Sequence, residues 1–271
     1  MSHPRRGVGH NASLVPTGHL KVDSNKRVWE HLAMSTADRL AGDPHTAPDF
    51  AAAALVTIDT QRDVLDGGPF EIPGTSSALA AMWLLARAFR EAGRPIVHIV
   101  RLYQPDGANV DPCRRQAVQK GMRALVPGAP GSQLADELLP EPGVELDARL
   151  LLAGGVQRLG PGEVAIYKPR WGAFYDTPFE GHLREQGVTT LVFCGCNFPN
   201  CPRTSIYEAS ERDFRIVLAD DAISGLYERG ERELEGIGVH LIRAGEVAEA
   251  LPAATREAAP TGRGEREGAG R

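Results

Sequence analysis

One segment combines a strand, a turn and a helix start: Val188-Thr-Thr-Leu-Val-Phe-Cys194-Gly-Cys-Asn-Phe-Pro-Asn-Cys201-Pro202-Arg-Thr-Ser-Ile-Tyr-Glu-Ala-Ser210. Its first apolar residues are typical of a buried strand, its Gly, Asn and Pro residues of a turn, and Pro202 of the first turn of a helix. Cys201 therefore lies where a helix begins. The helix dipole there favours a thiolate, and free backbone N–H groups can bind an oxyanion. Cys201 is a candidate nucleophile; the alternative is an inert buried cysteine that packs as a small apolar residue.

The overall composition narrows the class of protein. A chain of 271 residues with a formal net charge of −5 is long enough for one large domain with a substantial core. No basic cluster indicates a nucleic-acid partner. No segment approaches the length of a membrane span, and the polar start at Met1 lacks the apolar region of a signal peptide. We therefore expect a cytoplasmic protein without membrane contact.

The cysteines indicate neither a disulfide scaffold nor a metal site. Four cysteines are too few to form a disulfide scaffold in a chain of this length. They are Cys113, Cys194, Cys196 and Cys201. The Cys-x-Cys pair with Cys201 raises the possibility of a zinc site. Because Cys194 lies inside the strand and no histidine follows at ligand spacing, we predict no metal.

The chain divides into a central domain and two terminal segments. Residues 1–47 form a predicted N-terminal arm with one amphipathic helix at 28–40, mobile or docked on a partner subunit. Residues 48–245 form the domain. Residues 252–271 are Ala, Gly, Pro, Arg and Glu without periodicity, which predicts a disordered tail.

Strands and helices alternate through the domain. Ala53–Ile58 is a continuous apolar run typical of a parallel sheet covered on both faces. A helix with apolar residues at helical spacing follows at 75–93, and a second strand at 95–100. This pattern predicts an α/β fold with three layers, a doubly wound parallel sheet between helices. The other predicted elements are helices at 111–125, 177–186, 201–212 and 226–234, strands at 164–167, 188–194, 214–219 and 238–242, and a strand or helix at 146–152.

Three reactive side chains follow predicted strands. Asp59 ends the first strand, Lys168 ends the strand at 164–167, and Cys201 follows the strand at 188–194. Ligands of open parallel sheets bind beyond the carboxyl ends of the strands, so we expect these three residues at one edge. Each has a plainer explanation: a turn cap for Asp59, a solvated charge for Lys168, and packing for Cys201.

The three residue types suit cleavage of a carbonyl–nitrogen bond. Asp59 would accept the proton of Cys201, protonate the leaving amine and later activate water against the thioester. Lys168 would hold the carboxylate and favour the thiolate by its charge. No histidine is required, and we expect His98, in the middle of the second strand, to be a hydrogen-bonded core residue.

Three motifs resemble those of the isochorismatase-like cysteine hydrolases. Order and spacing agree over residues 49–242. The motifs are Ile58-Asp59-Thr60-Gln61-Arg62-Asp63, then Lys168-Pro-Arg170-Trp-Gly-Ala173-Phe174-Tyr-Asp-Thr177, and finally Val192-Phe-Cys-Gly195 with Cys201, Thr204-Ser205 and Asp221-Ala222.

The resemblance implies a six-stranded parallel sheet and a catalytic triad of Asp59, Lys168 and Cys201. It also implies a cis peptide bond between Cys196 and Asn197, with the backbone amides of Asn197 and Cys201 as an oxyanion hole. A homo-oligomer, a dimer or tetramer, is implied as well. Nicotinamidase-type members carry an Asp-x-His metal pattern after the second strand. Here that position reads Val100-Arg-Leu-Tyr-Gln-Pro-Asp106, so we predict neither metal nor cofactor.

The expected activity is hydrolysis of a small amide, lactam or N-carbamoyl compound through a thioester. Isochorismatases that cleave a vinyl ether lack the nucleophilic cysteine, so Cys201 favours a C–N bond. Two alternatives stay open. One is vinyl-ether hydrolysis with Asp59 as the acid, and the other is a binding or redox-sensing module in which Cys201 meets oxidants.

The expected substrate contacts are mainly aromatic. The two loops around Lys168 and Cys201 hold several aromatic side chains, and such walls are common in ligand pockets. Phe198 and Pro202 depart from the Thr and Val found in many family members. Arg101 could bind an acidic group or form a surface salt bridge. The predicted substrate-binding residues are Gln61, Trp171, Phe174, Tyr175 and Phe198.

Overall fold

A computed structural model describes residues 43–252. Most of the predicted N-terminal arm at 1–47, including its helix at 28–40, lies outside the described residues. So does the predicted tail beyond residue 252. The domain predicted at 48–245 lies wholly within them.

The centre of the fold is a seven-stranded sheet with the order β3-β4-β2-β1-β5-β6-β7. Six strands run parallel, as the sequence predicted, and β3 pairs antiparallel with β4 at one edge. The strands are β1 (Ala53–Ile58), β2 (Ile96–Val100), β3 (Val156–Gly160), β4 (Glu163–Tyr167), β5 (Thr190–Gly195), β6 (Arg215–Ile223) and β7 (His240–Ile242).

Helices cover both faces of the sheet. One face packs against α4, α5 and α6, and the other against α1 and α7. None of the helices between residues 43 and 252 is long and apolar enough to cross a membrane. The helices are α1 (Thr75–Glu91), α2 (Pro112–Gln119), α3 (Ala148–Leu152), α4 (Phe179–Glu185), α5 (Cys201–Ser210), α6 (Glu228–Glu235) and α7 (Ala244–Ala250).

The central strands are apolar because both of their faces are buried. Neighbouring residues of β1 point to opposite faces, so Leu55 packs with α1 and Val56 with the layer of α4 and α5. All residues of β1 and β5 are buried. This rigid pair carries the loops that follow it, including Asp59 and the turn before Cys201.

The structure contains two elements that the sequence did not predict, and one helix is shorter than the sequence predicted. The edge strand β3 has one partner and is half-exposed, so its sequence lacks a continuous apolar run. The seven-residue helix α7 follows β7 directly. The helix predicted at 111–125 ends at Gln119, because Gly121 adopts a left-handed φ of 108°. Residues 148–152 are helical.

Candidate active site

Asp59 lies at the carboxyl end of β1 in a conformation that non-glycine residues rarely adopt. Its φ is 52°, and its N–H donates to the carbonyl of Ile99 on β2 at 2.9 Å. A left-handed residue other than glycine costs of order 1–3 kcal/mol and persists only where its surroundings hold it. The local sheet therefore fixes the direction of this carboxylate.

Lys168 follows β4 and is fully buried. Its N–H donates to the carbonyl of Val100 at 3.0 Å, and its Nζ lies 2.8 Å from Asp59 Oδ2. A buried ammonium is costly unless it is paired, and this carboxylate supplies the pair. The prediction that these two residues meet at one edge agrees with this geometry, and the solvated-charge explanation for Lys168 is wrong.

Cys201 is the first residue of α5, with Pro202 in the first helical turn. Its side chain is buried next to Asp59, Lys168 and Arg101. Burial raises the pKa of the Cys201 thiol and Asp59 raises it further, whereas Lys168 and Arg101 oppose these effects. The net effect raises the thiol pKa, so a base that accepts the proton would help Cys201 to act as a nucleophile.

Two backbone N–H groups beside the sulfur are free. Within residues 43–252, the N–H groups of Asn197 and Cys201 donate to no protein acceptor. Both residues line the same cavity as Asp59. Free N–H groups at a helix start can bind a developing negative charge.

The predicted cis bond between Cys196 and Asn197 is wrong. No peptide bond between residues 43 and 252 is cis. The chain leaves β5 through Gly195, whose φ is 118°. The Cys196 N–H then donates to Ile58 and the Phe198 N–H to Ser224, at 2.9 and 2.8 Å. These bonds hold the turn with trans peptide bonds throughout.

Arg101 lies inside the site rather than on the surface. Its side chain is 1% exposed and pairs with Asp111 at 3.1 Å. Its Nη2 is 3.8 Å from Cys201 Sγ. The surface salt-bridge explanation is therefore wrong. The position of Arg101 at the end of β2 was the only sequence signal for this contact.

Arg114 is a further cation at the site, and the sequence did not single it out. It extends from α2, and its Nη1 donates to the Tyr103 hydroxyl at 2.7 Å. Its guanidinium lies over the rings of Trp171 and Phe70, with centroid distances of 4.6 and 4.9 Å. No periodicity or motif in the sequence predicts that α2 lies beside the site. Its position depends on how the loop around it folds.

The cavity at the sulfur is small and is lined by both polar and apolar side chains. Its volume of about 10 Å³ is room for roughly one water molecule. The polar lining residues include Asp59, Arg101 and Arg114, and the apolar ones include Phe70 and Ile72. A substrate must displace some of these side chains to reach Cys201.

Four of the five predicted substrate contacts lie elsewhere. Phe174 packs on Phe179 at 4.6 Å between centroids, and Phe198 is buried against Tyr227 at 5.5 Å. Tyr175 is 56% exposed and does not line the cavity.

Gln61 and Trp171 have contrasting surroundings. The Gln61 side-chain amide donates to the carbonyls of Arg101 and Ser132 and accepts a hydrogen bond from the Arg101 N–H. These structural hydrogen bonds occupy both ends of the amide. Trp171 lies beside the site through its stacking with Arg101 and Arg114. Trp171 does not line the cavity either, but it is the one predicted contact that stacks on two residues of the cavity lining.

His98 is a hydrogen-bonded core residue, as predicted. Its Nδ1 lies 2.8 Å from Thr57 Oγ1 and its Nε2 lies 2.8 Å from Glu163 Oε1. Glu163 also accepts two hydrogen bonds from Arg90.

Among the described residues, no group of three or more His, Cys, Asp or Glu side chains could hold a metal ion.

The fold and the sequence together define the class. The sequence matches the isochorismatase domain model over residues 53–147 and 153–235. The structure of an isochorismatase family protein from Desulfovibrio vulgaris superposes with a TM-score of 0.63 at 27% identity, covering 74% of this chain and 98% of that chain. The chain therefore belongs to the isochorismatase family, as an isochorismatase-like hydrolase.

Two similar proteins carry activity names. Ureidoacrylate amidohydrolase RutB of Methylobacterium radiotolerans is 28% identical over 194 residues, which cover 64% of this chain and 68% of that protein. Maleamate amidohydrolase of Pseudomonas putida is 30% identical over 176 residues, which cover 63% and 71%. Both are named as amidohydrolases.

Proposed function

We propose that the protein is a cysteine-dependent hydrolase that cleaves a C–N bond of a small amide, lactam or N-carbamoyl compound through a thioester. The observation that carries the proposal is the buried cluster of Cys201, Asp59 and Lys168 at the carboxyl edge of the sheet. The two named amidohydrolases that resemble this chain act in the same reaction class.

Proton transfer is the first step. Asp59 Oδ2 is held by Lys168, whereas Asp59 Oδ1 is buried without a hydrogen-bond partner among the described residues. One oxygen is thus fixed and the other is free to accept the Cys201 proton. The raised pKa of Cys201 makes this base necessary, and Lys168 and Arg101 stabilise the thiolate that results.

Acyl transfer to the sulfur follows at the carbonyl carbon of the substrate. The sulfur attacks, and the Asn197 and Cys201 N–H groups bind the oxyanion. Protonated Asp59 gives its proton to the leaving nitrogen, the C–N bond breaks, and a thioester on Cys201 remains. Asp59 next takes a proton from water, whose oxygen attacks the thioester carbon; the C–S bond breaks, the acid is released, and Asp59 returns the proton to the Cys201 sulfur.

A panel of amides, lactams and N-carbamoyl compounds tests the proposal. We expect turnover by wild type, loss of turnover in Cys201→Ala, and an acyl adduct on Cys201 by intact mass. The exposed thiol of Cys113 provides the control, because Cys113→Ser should turn over normally.

Other outcomes would select the alternatives. An active Cys201→Ala variant with a vinyl-ether substrate would show that Asp59 acts as an acid without the sulfur. No hydrolysis, with ligand binding that depends on thiol oxidation, would instead indicate a redox module. The predicted homo-oligomer stays a prediction, and light scattering would measure it.

A further inference from the structure

Cys196 is a buried thiol that the proposed reaction does not use. It follows β5 directly, lines the same cavity as Cys201 and is 1% exposed. Burial raises the pKa of the Cys196 thiol well above its ordinary value, and Asp59 and Cys201 raise it further, against opposing effects of Thr75 and Lys168. The thiol therefore keeps its proton near neutral pH, which makes it a hydrogen-bond donor rather than a second nucleophile.

The Cys196 thiol donates to the backbone of the proposed base. Its Sγ lies 3.2 Å from the carbonyl oxygen of Asp59. The same carbonyl accepts from the Gln61 N–H at 2.9 Å, and the Asp59 N–H donates to the carbonyl of Ile99 at 2.9 Å. Among the described residues, the thiol is thus the one side chain that bonds to the Asp59 backbone.

The backbone of Asp59 needs this support because of its conformation. Its φ of 52° is left-handed, and a residue other than glycine keeps such a φ only where its surroundings hold it. The backbone atoms on either side of Cα set the direction of the Cα–Cβ bond. A backbone that relaxed here would therefore turn the carboxylate away from Lys168 and Cys201.

The backbone of Cys196 is held independently of its thiol. Its N–H donates to the carbonyl of Ile58 at 2.9 Å, and the Phe198 N–H donates to that of Ser224 at 2.8 Å. A substitution of the Cys196 side chain keeps both of these hydrogen bonds. It therefore isolates the bond from Sγ to Asp59.

We infer that Cys196 is a positioning residue for Asp59, an inference that rests on the proposed role of Asp59 as the base. The thiol holds the left-handed backbone of Asp59 through its S–H···O bond. The carboxylate then stays beside the Cys201 thiol while Lys168 binds its other oxygen. Cys196 neither forms nor breaks a covalent bond in the reaction.

The pH dependence of Cys201 alkylation tests this inference without a known substrate. In Cys113→Ser protein, iodoacetamide rates at Cys201 are measured by peptide mass, with and without Asp59→Asn. The resulting shift of the rate midpoint reports how strongly the carboxylate acts on the sulfur. We expect a smaller shift in Cys196→Ala and Cys196→Val, because a released carboxylate spends less time beside the sulfur. Cys196→Ser should keep most of the shift, since its hydroxyl can donate in place of the thiol.

The order of the variants separates hydrogen bonding from packing. Valine is apolar and fills more of a buried site than alanine or serine, so a packing role would make Cys196→Val the mildest change. A hydrogen bond makes Cys196→Ser the mildest. Cys194→Ala is the control, because Cys194 is buried in the same strand and burial alone raises its pKa; its shift should equal that of the parent protein. A full shift in Cys196→Ala and Cys196→Val, or a shift in Cys196→Ser no larger than in Cys196→Val, would overturn the inference.

Turnover separates this inference from the proposed function. With an amide that the protein hydrolyses, Cys196→Ala should lower kcat by about fivefold, the effect of one hydrogen bond, and Cys196→Ser should restore most of it. The smaller alkylation shift without hydrolysis of any amide would sink the proposed function and keep the positioning role. Hydrolysis with a full shift in every Cys196 variant would do the reverse.

Discussion

Lys168 Nζ lies 2.8 Å from Asp59 Oδ2, and the lysine side chain has no solvent exposure. The pair joins the carboxyl ends of β4 and β1, which are separated in the sheet by β2. Because one oxygen of Asp59 is bound and the other has no partner among residues 43–252, the pair combines a fixed carboxylate with a free proton acceptor. Both stability and proton transfer should therefore depend on it.

Lys168→Met should abolish turnover and destabilise the fold. The substitution leaves the Asp59 charge buried without a partner, and such a loss costs about 3–5 kcal/mol. Urea unfolding at neutral pH measures the free energy. Adding Asp59→Asn should recover part of the stability without activity.

An exposed ion pair provides the comparison for this variant. Arg62 and Asp136 pair with side-chain exposures of 41% and 74%. Arg62→Gln should shift the free energy of unfolding by less than about 1 kcal/mol. Equal effects of the two substitutions would contradict the role of burial.

The pH dependence of Cys201 alkylation should report its neighbours. Burial and Asp59 raise the pKa of the thiol and Lys168 lowers it. In Cys113→Ser protein, the midpoint of the iodoacetamide rate should therefore lie above that of an ordinary thiol. It should fall in Asp59→Asn and rise in Lys168→Met. A wild-type midpoint at or below the ordinary value would refute this electrostatic account.

Glu163 should stabilise the fold except in acid. Burial favours a higher pKa for Glu163, but hydrogen bonds from Arg90 and His98 outweigh it and lower the pKa to about 2. A carboxyl group whose pKa is lower in the folded state stabilises the fold at pH values above its unfolded-state pKa. This stabilisation is lost as the pH falls toward its folded-state pKa. Glu163→Gln should cost about 3 kcal/mol at pH 7.

Urea titrations at several pH values check the Glu163 prediction. The difference between wild type and Glu163→Gln should narrow as the pH falls from 5 toward 2. A difference that is constant with pH would mean that packing, rather than charge, causes the loss.

Gly195→Ala should disturb the site from a distance. Gly195 has a φ of 118°, and an added Cβ would overlap the backbone of Ile58, the residue before Asp59. The ends of β1 and β5 would have to separate, so activity and stability should both fall. Gly154→Ala isolates the backbone cost, because Gly154 has a φ of 81° but open space at its Cβ position. It should cost about 1 kcal/mol with activity retained.

Local sequence was sufficient for the elements that are buried on both faces. The apolar runs of β1 and β5 and the helical spacing of α1 predicted these segments, because burial demands apolar residues at fixed intervals. The edge strand β3 was not predicted, because a half-exposed strand does not require a continuous run of apolar residues. The trans bond after Cys196 also differs from the family expectation.

The order of strands and of the residues that follow them was sufficient to predict that Asp59, Lys168 and Cys201 lie at one edge. Parallel strands place all their carboxyl ends together, so this convergence follows from the alternation of strands and helices alone. The position of Arg114 in the lining of the cavity at Cys201, and the burial of Phe174 and Phe198 outside that lining, were decided by tertiary packing. Loops have no periodicity that records which neighbours they meet, so the path of the chain between β2 and β4 determines what surrounds the reactive thiol.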